Sequence, residues 1–126
     1  MELNEISERV IGAAIEVHRL LGPGLLEQSY EKALGHELSL RKLSYSSQIS
    51  LPISYKELQI PDAYRIDRLV ENLLIIEIKA VENVLPVHKA QLLTYLRHTE
   101  KPLGLLINFN SSLLKNGLTR IINTPN

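Results

Sequence analysis

Two acidic residues and a lysine offer this chain its chemistry. In "LLIIEIKA" (Leu73 to Ala80), Glu77 and Lys79 stand two residues apart at the end of an otherwise apolar run. Alternation puts them on one face of a strand, roughly 6–7 Å apart. Asp67 lies upstream in "AYRIDRLVE" (Ala63 to Glu71), and the connection between the two strands decides whether it can join them. If Glu71 and Asn72 form a symmetric two-residue turn, Asp67 faces Ile76 and points away from Glu77. With a three-residue connection or a bulge, Asp67 sits opposite Glu77 on the same face, because a one-residue slip reverses every side chain. In that second register two carboxylates and an ammonium gather at one end of a sheet. Such a set suits a hard divalent cation, which takes oxygen ligands, and a lysine able to act on a bound water or a phosphate. On spacing alone the ordinary alternative is a surface ion pair, because an isolated E-x-K is common.

Further candidates lie on two helices. "GLLEQSY" (Gly24 to Tyr30) puts Glu27 in a first helical turn on the side of Tyr30 and Leu34, where an acid is also favoured by the helix dipole. "HKAQLLTYLRH" (His88 to His98) aligns His88, Gln91, Tyr95 and His98 along one stripe. Gln91 can hydrogen-bond a nucleophilic water or a phosphate, and Tyr95 can line a cleft. Alternatively, the stripe is a solvated face with Tyr95 half-buried at its edge. His18, near the end of the first helix, reads as a dipole-complementing cap that could reach the cleft through the following turn. The four histidines have no paired ligand spacing for zinc, and "GPG" has neither Walker lysine spacing nor a dinucleotide pattern.

The elements that must hold these residues follow from periodicity. Apolar positions at helical spacing predict a helix over residues 3–21, stopped by "LGPG" (Leu21 to Gly24), and a second from about Leu25 to Lys42. From Ser46 the period falls to two. "QISLPISYK" (Gln48 to Lys56) predicts an edge strand, since Pro52 cannot donate to a ladder. Ala63 to Glu71 and Leu73 to Ala80 give two more strands. Pro86 opens a helix to about Thr99, and "LGLLINF" (Leu103 to Phe109) and "LTRIIN" (Leu118 to Asn123) give the last strands. The order α, α, β, β, β, α, β, β predicts an α/β mixed sheet flanked by helices.

Length and composition fit this reading. The 126 residues are expected to form one domain, and 44% hydrophobic against 22% charged residues argue against disorder. There is no cysteine, hence no disulfide framework or thiolate metal site, and a cytoplasmic location is the expectation. No apolar run approaches a membrane span, so no membrane partner is expected, and the acidic start MELNE does not read as a signal peptide. Fourteen Lys and Arg balance fourteen Asp and Glu, which counts against wrapping nucleic acid by bulk charge. Local contact with a few phosphates is unaffected by that balance.

The spacing Gly24, Glu27, Tyr30 spells G-x-x-E-x-x-Y, and the chain closely resembles the GxxExxY protein family, which is grouped with the PD-(D/E)XK nuclease superfamily. "VHRLLGPGLLEQSY", "ISYK", "RIDRLVE", "IIEIKAV", "VHKAQLLTYL" and "GLLINF" fall in the expected order from about Glu5 to Ile122. The resemblance implies a restriction-endonuclease-like fold with core order αβββαβ and an extra N-terminal helix. It implies Asp67 and Glu77 as ligands of Mg²⁺ or Mn²⁺, with Glu27 as a further or water-mediated ligand. Lys79 would act on the nucleophilic water and the phosphate, and Gln91 would hold that water or Lys79. Tyr30, Tyr95 and His18 would line the cleft. The implied activity is hydrolysis of phosphodiester bonds in DNA or RNA. A catalytically silent nucleic-acid-binding or protein-interaction module on the same fold is the competing expectation, and a homodimer is a further expectation for the chain in either case. Arg68 departs from the pattern: an apolar residue is expected there, and alternation turns it away from Asp67.

Overall fold

In the computed structural model, which describes residues 1–124, the spacing of residues 3–21 is realised as helix α1 (Leu3–Leu21). Its stripe Ile6, Val10, Ala13, Ala14 and Val17 is buried. Gly22 ends it at φ 67°, a left-handed backbone that suits glycine, and its N–H donates to the His18 carbonyl. Helix α2 (Glu27–Leu40) begins two residues later and stops two residues earlier than expected, burying Tyr30, Leu34 and Leu38. Both helices pack on one face of a five-stranded sheet with strand order β1-β2-β3-β4-β5.

The sheet comprises β1 (Tyr45–Tyr55), β2 (Leu58–Val70), β3 (Leu74–Lys79), β4 (Leu103–Asn108) and β5 (Leu118–Ile122). Strand β1 takes the edge, as Pro52 requires. Helix α3 (Pro86–Thr99) crosses from β3 to its parallel neighbour β4 and covers the other face. Both central strands are therefore enclosed on both sides, which is why β4 is buried throughout and β3 nearly so. Gly104 lets α3 settle: a Cβ there would meet the Leu92 side chain at 2.8 Å.

Strand β2 is longer than the alternation pattern indicates, starting at Leu58 rather than Ala63. Pro61 and Asp62 look like strand breakers, but they lie at an irregularity where Pro52 alone opposes Pro61, Asp62 and Ala63. Lys56 and Glu57, both at positive φ, close the hairpin in two residues. Because β3 pairs with β2 only over Arg68–Val70, the β1–β2 hairpin continues beyond the sheet as a two-stranded arm.

Candidate active site

The connection between β2 and β3 has three residues, Glu71, Asn72 and Leu73, not the two-residue turn that Glu71–Asn72 suggests. Glu71 and Asn72 take φ of 50° and 57°, and Leu73, which looked like the first strand residue, belongs to the loop and is exposed. The rungs that follow are Val70–Leu74, Leu69–Ile75 and Arg68–Ile76. One position beyond the last rung, Asp67 and Glu77 lie across from each other with no backbone rung between them, the arrangement that brings the two carboxylates together.

At that position side chains replace the backbone ladder. The Asp67 N–H donates to Glu77 Oε1 at 3.3 Å, and the Ile78 N–H donates to Asp67 Oδ2 at 2.8 Å. Asp67 lies where β2 exchanges faces. Ile66 belongs to the cluster under α3, whereas Arg68 is held by α2 and Val70 packs with α1 and α2. Across from it, Gln48 of β1 has a positive φ of 52°, a further local distortion of the hairpin.

Burial and charge act strongly on the pair. Glu77 is only 7% exposed, and burial, followed by the neighbouring Asp67 charge, pushes its carboxyl up to about 8. Burial also raises Asp67, although the Ile78 N–H opposes the shift. Glu27, on the first turn of α2, is raised by desolvation first. The Lys79 charge lowers it, and Asp67 and Glu31 raise it. Lys79 lowers all three acids, so its ammonium is felt across the whole group.

Neighbouring elements hold Lys79 and the loop after it. Lys79 pairs with Asn108 of β4, and its carbonyl accepts the Phe109 N–H at 2.9 Å. The buried Asn108 amide grips the segment beyond Lys79. Its Oδ1 accepts from Val81 N–H at 3.1 Å and Asn110 N–H at 3.2 Å, while Nδ2 donates to the Val81 carbonyl at 2.9 Å.

Tyr95 is half-buried near the carboxylates. Burial, then the charges of Glu77 and Asp67, push its hydroxyl up to about 12. Gln91 is exposed one turn before it and lines the same groove. His88 is used differently from the stripe expectation: its Nδ1 accepts the Leu85 N–H at 3.0 Å and caps α3.

Two cleft-lining expectations are corrected. Tyr30 is wholly buried and stacks on Phe109 with centroids 4.7 Å apart. Its hydroxyl donates to the Gly22 carbonyl at 2.5 Å and accepts the Leu25 N–H at 3.1 Å, so it ties down the turn that starts α2. His18 Nε2 lies 2.7 Å from the Ser111 carbonyl, and its ring borders a different groove with Ile15, Arg19 and Leu113–Lys115. His18 does stand in the last turn of α1, where a dipole-complementing residue is expected, and Gly22 is the capping residue.

Glu31, Arg68 and Asn108 were not picked out for this neighbourhood by sequence reasoning. Arg68, 6% exposed, faces α2 as alternation requires. Its Nη2 donates to the Glu31 carbonyl at 2.7 Å, and Nη1 to the Asp67 carbonyl at 3.0 Å and Glu31 Oε1 at 3.2 Å. Glu31 also accepts from Gln48 Nε2. The available signal was Glu31 lying one helical turn after Glu27.

Among the described residues, no three His, Cys, Asp or Glu side chains close up as a metal-ligand group. The converging donors are two carboxylates, and hard divalent ions are often held by one or two carboxylates with water and phosphate oxygens. The donor chemistry fits such an ion, which would relieve the crowding of negative charge that raises Glu77.

A scan against protein families matches residues 4–121 to the PD-(D/E)XK nuclease superfamily. The chain belongs to that superfamily, and the α/β fold of three helices about a mixed five-stranded sheet agrees with it. Members generally use divalent metal ions and act on nucleic acid. Searches of curated proteins and of solved structures find no match. Among the described residues, no helix is long and apolar enough to cross a membrane.

Proposed function

We propose that this chain is a metal-dependent nuclease that hydrolyses phosphodiester bonds of DNA or RNA, with Mg²⁺ or Mn²⁺ as its ion. The observation that carries the reading is the three-residue Glu71–Leu73 connection, which sets Asp67 opposite Glu77 with Lys79 two residues on. Asp67 and Glu77 would hold the ion, with Glu27 as a further or water-mediated ligand. When bound, a divalent cation lowers the pKa of its water and offsets charge on the phosphate. Lys79 donates to the phosphate oxygens and orients the attacking water. Gln91, one turn before Tyr95, hydrogen-bonds that water or a phosphate oxygen.

The test is incubation of supercoiled, linear and single-stranded substrates with Mg²⁺ or Mn²⁺. Wild type is expected to cut, and Lys79→Ala to lose about a hundredfold or more in rate. Equal cutting by the variant removes the assignment. The absence of a closed three-acid group among the described residues favours one other reading, a silent module on the same fold. Salt-sensitive nucleic-acid binding without turnover would select it.

A further inference from the structure

A groove of about 470 Å³ runs between the β1–β2 arm and α3. Ile53, Ala63 and Tyr64 come from the arm, and Gln91, Thr94 and Tyr95 from the helix. Aromatic residues are scarce in this chain, with five tyrosines, one phenylalanine and no tryptophan. Two of those tyrosines meet in this groove: Tyr64 and Tyr95 stack with centroids 4.6 Å apart and planes 5° from parallel. His98 tilts onto Tyr64 at 5.5 Å. Val87, also on the groove wall, is an exposed aliphatic side chain.

The Tyr64 hydroxyl oxygen is shielded from solvent and has no hydrogen-bond partner among the described residues. A shielded hydroxyl is ordinarily paired, so this one is available to a polar group that enters the groove. The Gln91 amide at the rim offers two donors and an acceptor. Tyr95 joins the groove to the carboxylate pair, since it packs on the cluster that contains Ile66, next to Asp67, and Ile75, two residues before Glu77 on β3. Apolar walls, a tyrosine pair, an unpaired shielded hydroxyl and an exposed amide beside the proposed phosphodiester site match one chemistry: a flat heteroaromatic ring with a polar edge.

We propose that this groove is a subsite for an unpaired nucleobase next to the scissile phosphate, so that the substrate is a single strand, a flap or a frayed end. The proposal rests on the nuclease reading and narrows its substrate. A base within an intact duplex has both faces covered by its neighbours and its edge paired, and cannot enter. A splayed base brings a free face to the tyrosines and a free edge to Tyr64 Oη and Gln91. Base–aromatic stacking tolerates any sequence, which suits a site with few reading groups.

The experiment measures binding in EDTA, where cutting is blocked, by fluorescence anisotropy of a labelled single strand and a blunt duplex of the same sequence. The single strand is expected to bind about tenfold more tightly or better. Tyr64→Leu, which keeps bulk and removes the ring, is expected to weaken single-strand binding about tenfold. It should leave duplex binding within about twofold and Mn²⁺ binding by calorimetry unchanged. Ala90→Leu, a helix-compatible change on the groove wall, is expected to weaken single-strand binding similarly. It decides the matter if Tyr64→Leu fails to fold. Equal affinity for the two substrates, or variants that bind the single strand as wild type does, overturns the proposal. A Mn²⁺ cleavage assay separates the two claims. Cutting without single-strand preference sinks the subsite alone, whereas single-strand preference without cutting sinks the nuclease reading alone.

Discussion

Asp67 and Glu77 each accept a backbone N–H from the other's strand, Asp67 from Ile78 at 2.8 Å and Glu77 from Asp67 at 3.3 Å. The carboxylates thus hold together the point at which β2 and β3 part. That bonding fixes their positions, and burial in so confined a space disfavours their ionised forms.

The metal-free protein should therefore lose stability as pH rises. Glu77 titrates near 4.5 when unfolded and is pushed up to about 8 when folded. Between those values the unfolded chain releases the proton and the folded chain keeps it, so stability is full below the lower value and falls across the window. Thermal melts at pH 5 and pH 8.5 should show the drop, and Glu77→Gln should flatten it. An unchanged slope in that variant would mean that Glu77 is not the group responsible.

Asp67→Asn separates structure from ligation. The amide oxygen can still accept the Ile78 N–H, so the melting temperature should stay within a few degrees of wild type. Without the carboxylate, calorimetric Mn²⁺ affinity should fall at least about tenfold. Undiminished affinity would place the ion elsewhere.

Gly35→Ala should destabilise the protein although alanine is the better helix former by about 1 kcal/mol. The added Cβ would lie 2.8 Å from Arg68 Nη2 and 3.0 Å from the Tyr45 hydroxyl. Arg68 cannot retreat without giving up its bonds to Glu31 and Asp67. A net loss of about 1–3 kcal/mol by denaturant melts is expected. In an Arg68→Met background the penalty should shrink, a coupling that a double-mutant cycle measures.

Asn108→Ala removes three hydrogen bonds at once and leaves the Val81 N–H and carbonyl without their partner. A loss of about 2 kcal/mol is expected. Faster hydrogen exchange should be confined to residues 80–84 and 109–111. A loss spread evenly over the sheet would show that the amide does not act locally.

Much of this architecture was legible in the chain. The bounds of α1 and α3 follow directly from apolar spacing and from Pro86, and the edge position of β1 from Pro52. The register between Asp67 and Glu77 was not, because Leu73 is apolar and looks like strand while lying in the loop. Only the pairing itself, Val70 with Leu74 rather than with Leu73, decides between two and three residues. Gly35 reads as a flaw in α2 until Arg68 is seen occupying the space beside it. Tyr30 belongs to a motif that implies a cleft-lining residue, but it is buried and its hydroxyl is used on the turn before α2. Long-range partners such as Arg68 with Glu31 leave no periodic trace in a single sequence.

The two halves of the β1–β2 hairpin keep separate registers, divided where Pro52 faces Pro61, Asp62 and Ala63. Near the sheet, the alignment is tied to Asp67 through Arg68 and the three-residue loop; past the prolines it answers only to the tip at Lys56 and Glu57. Extra pairs of residues spliced into the outer half would lengthen the molecule's reach without disturbing the Asp67–Glu77 pair, so descendants of this chain can change what they grasp while keeping the carboxylates in place.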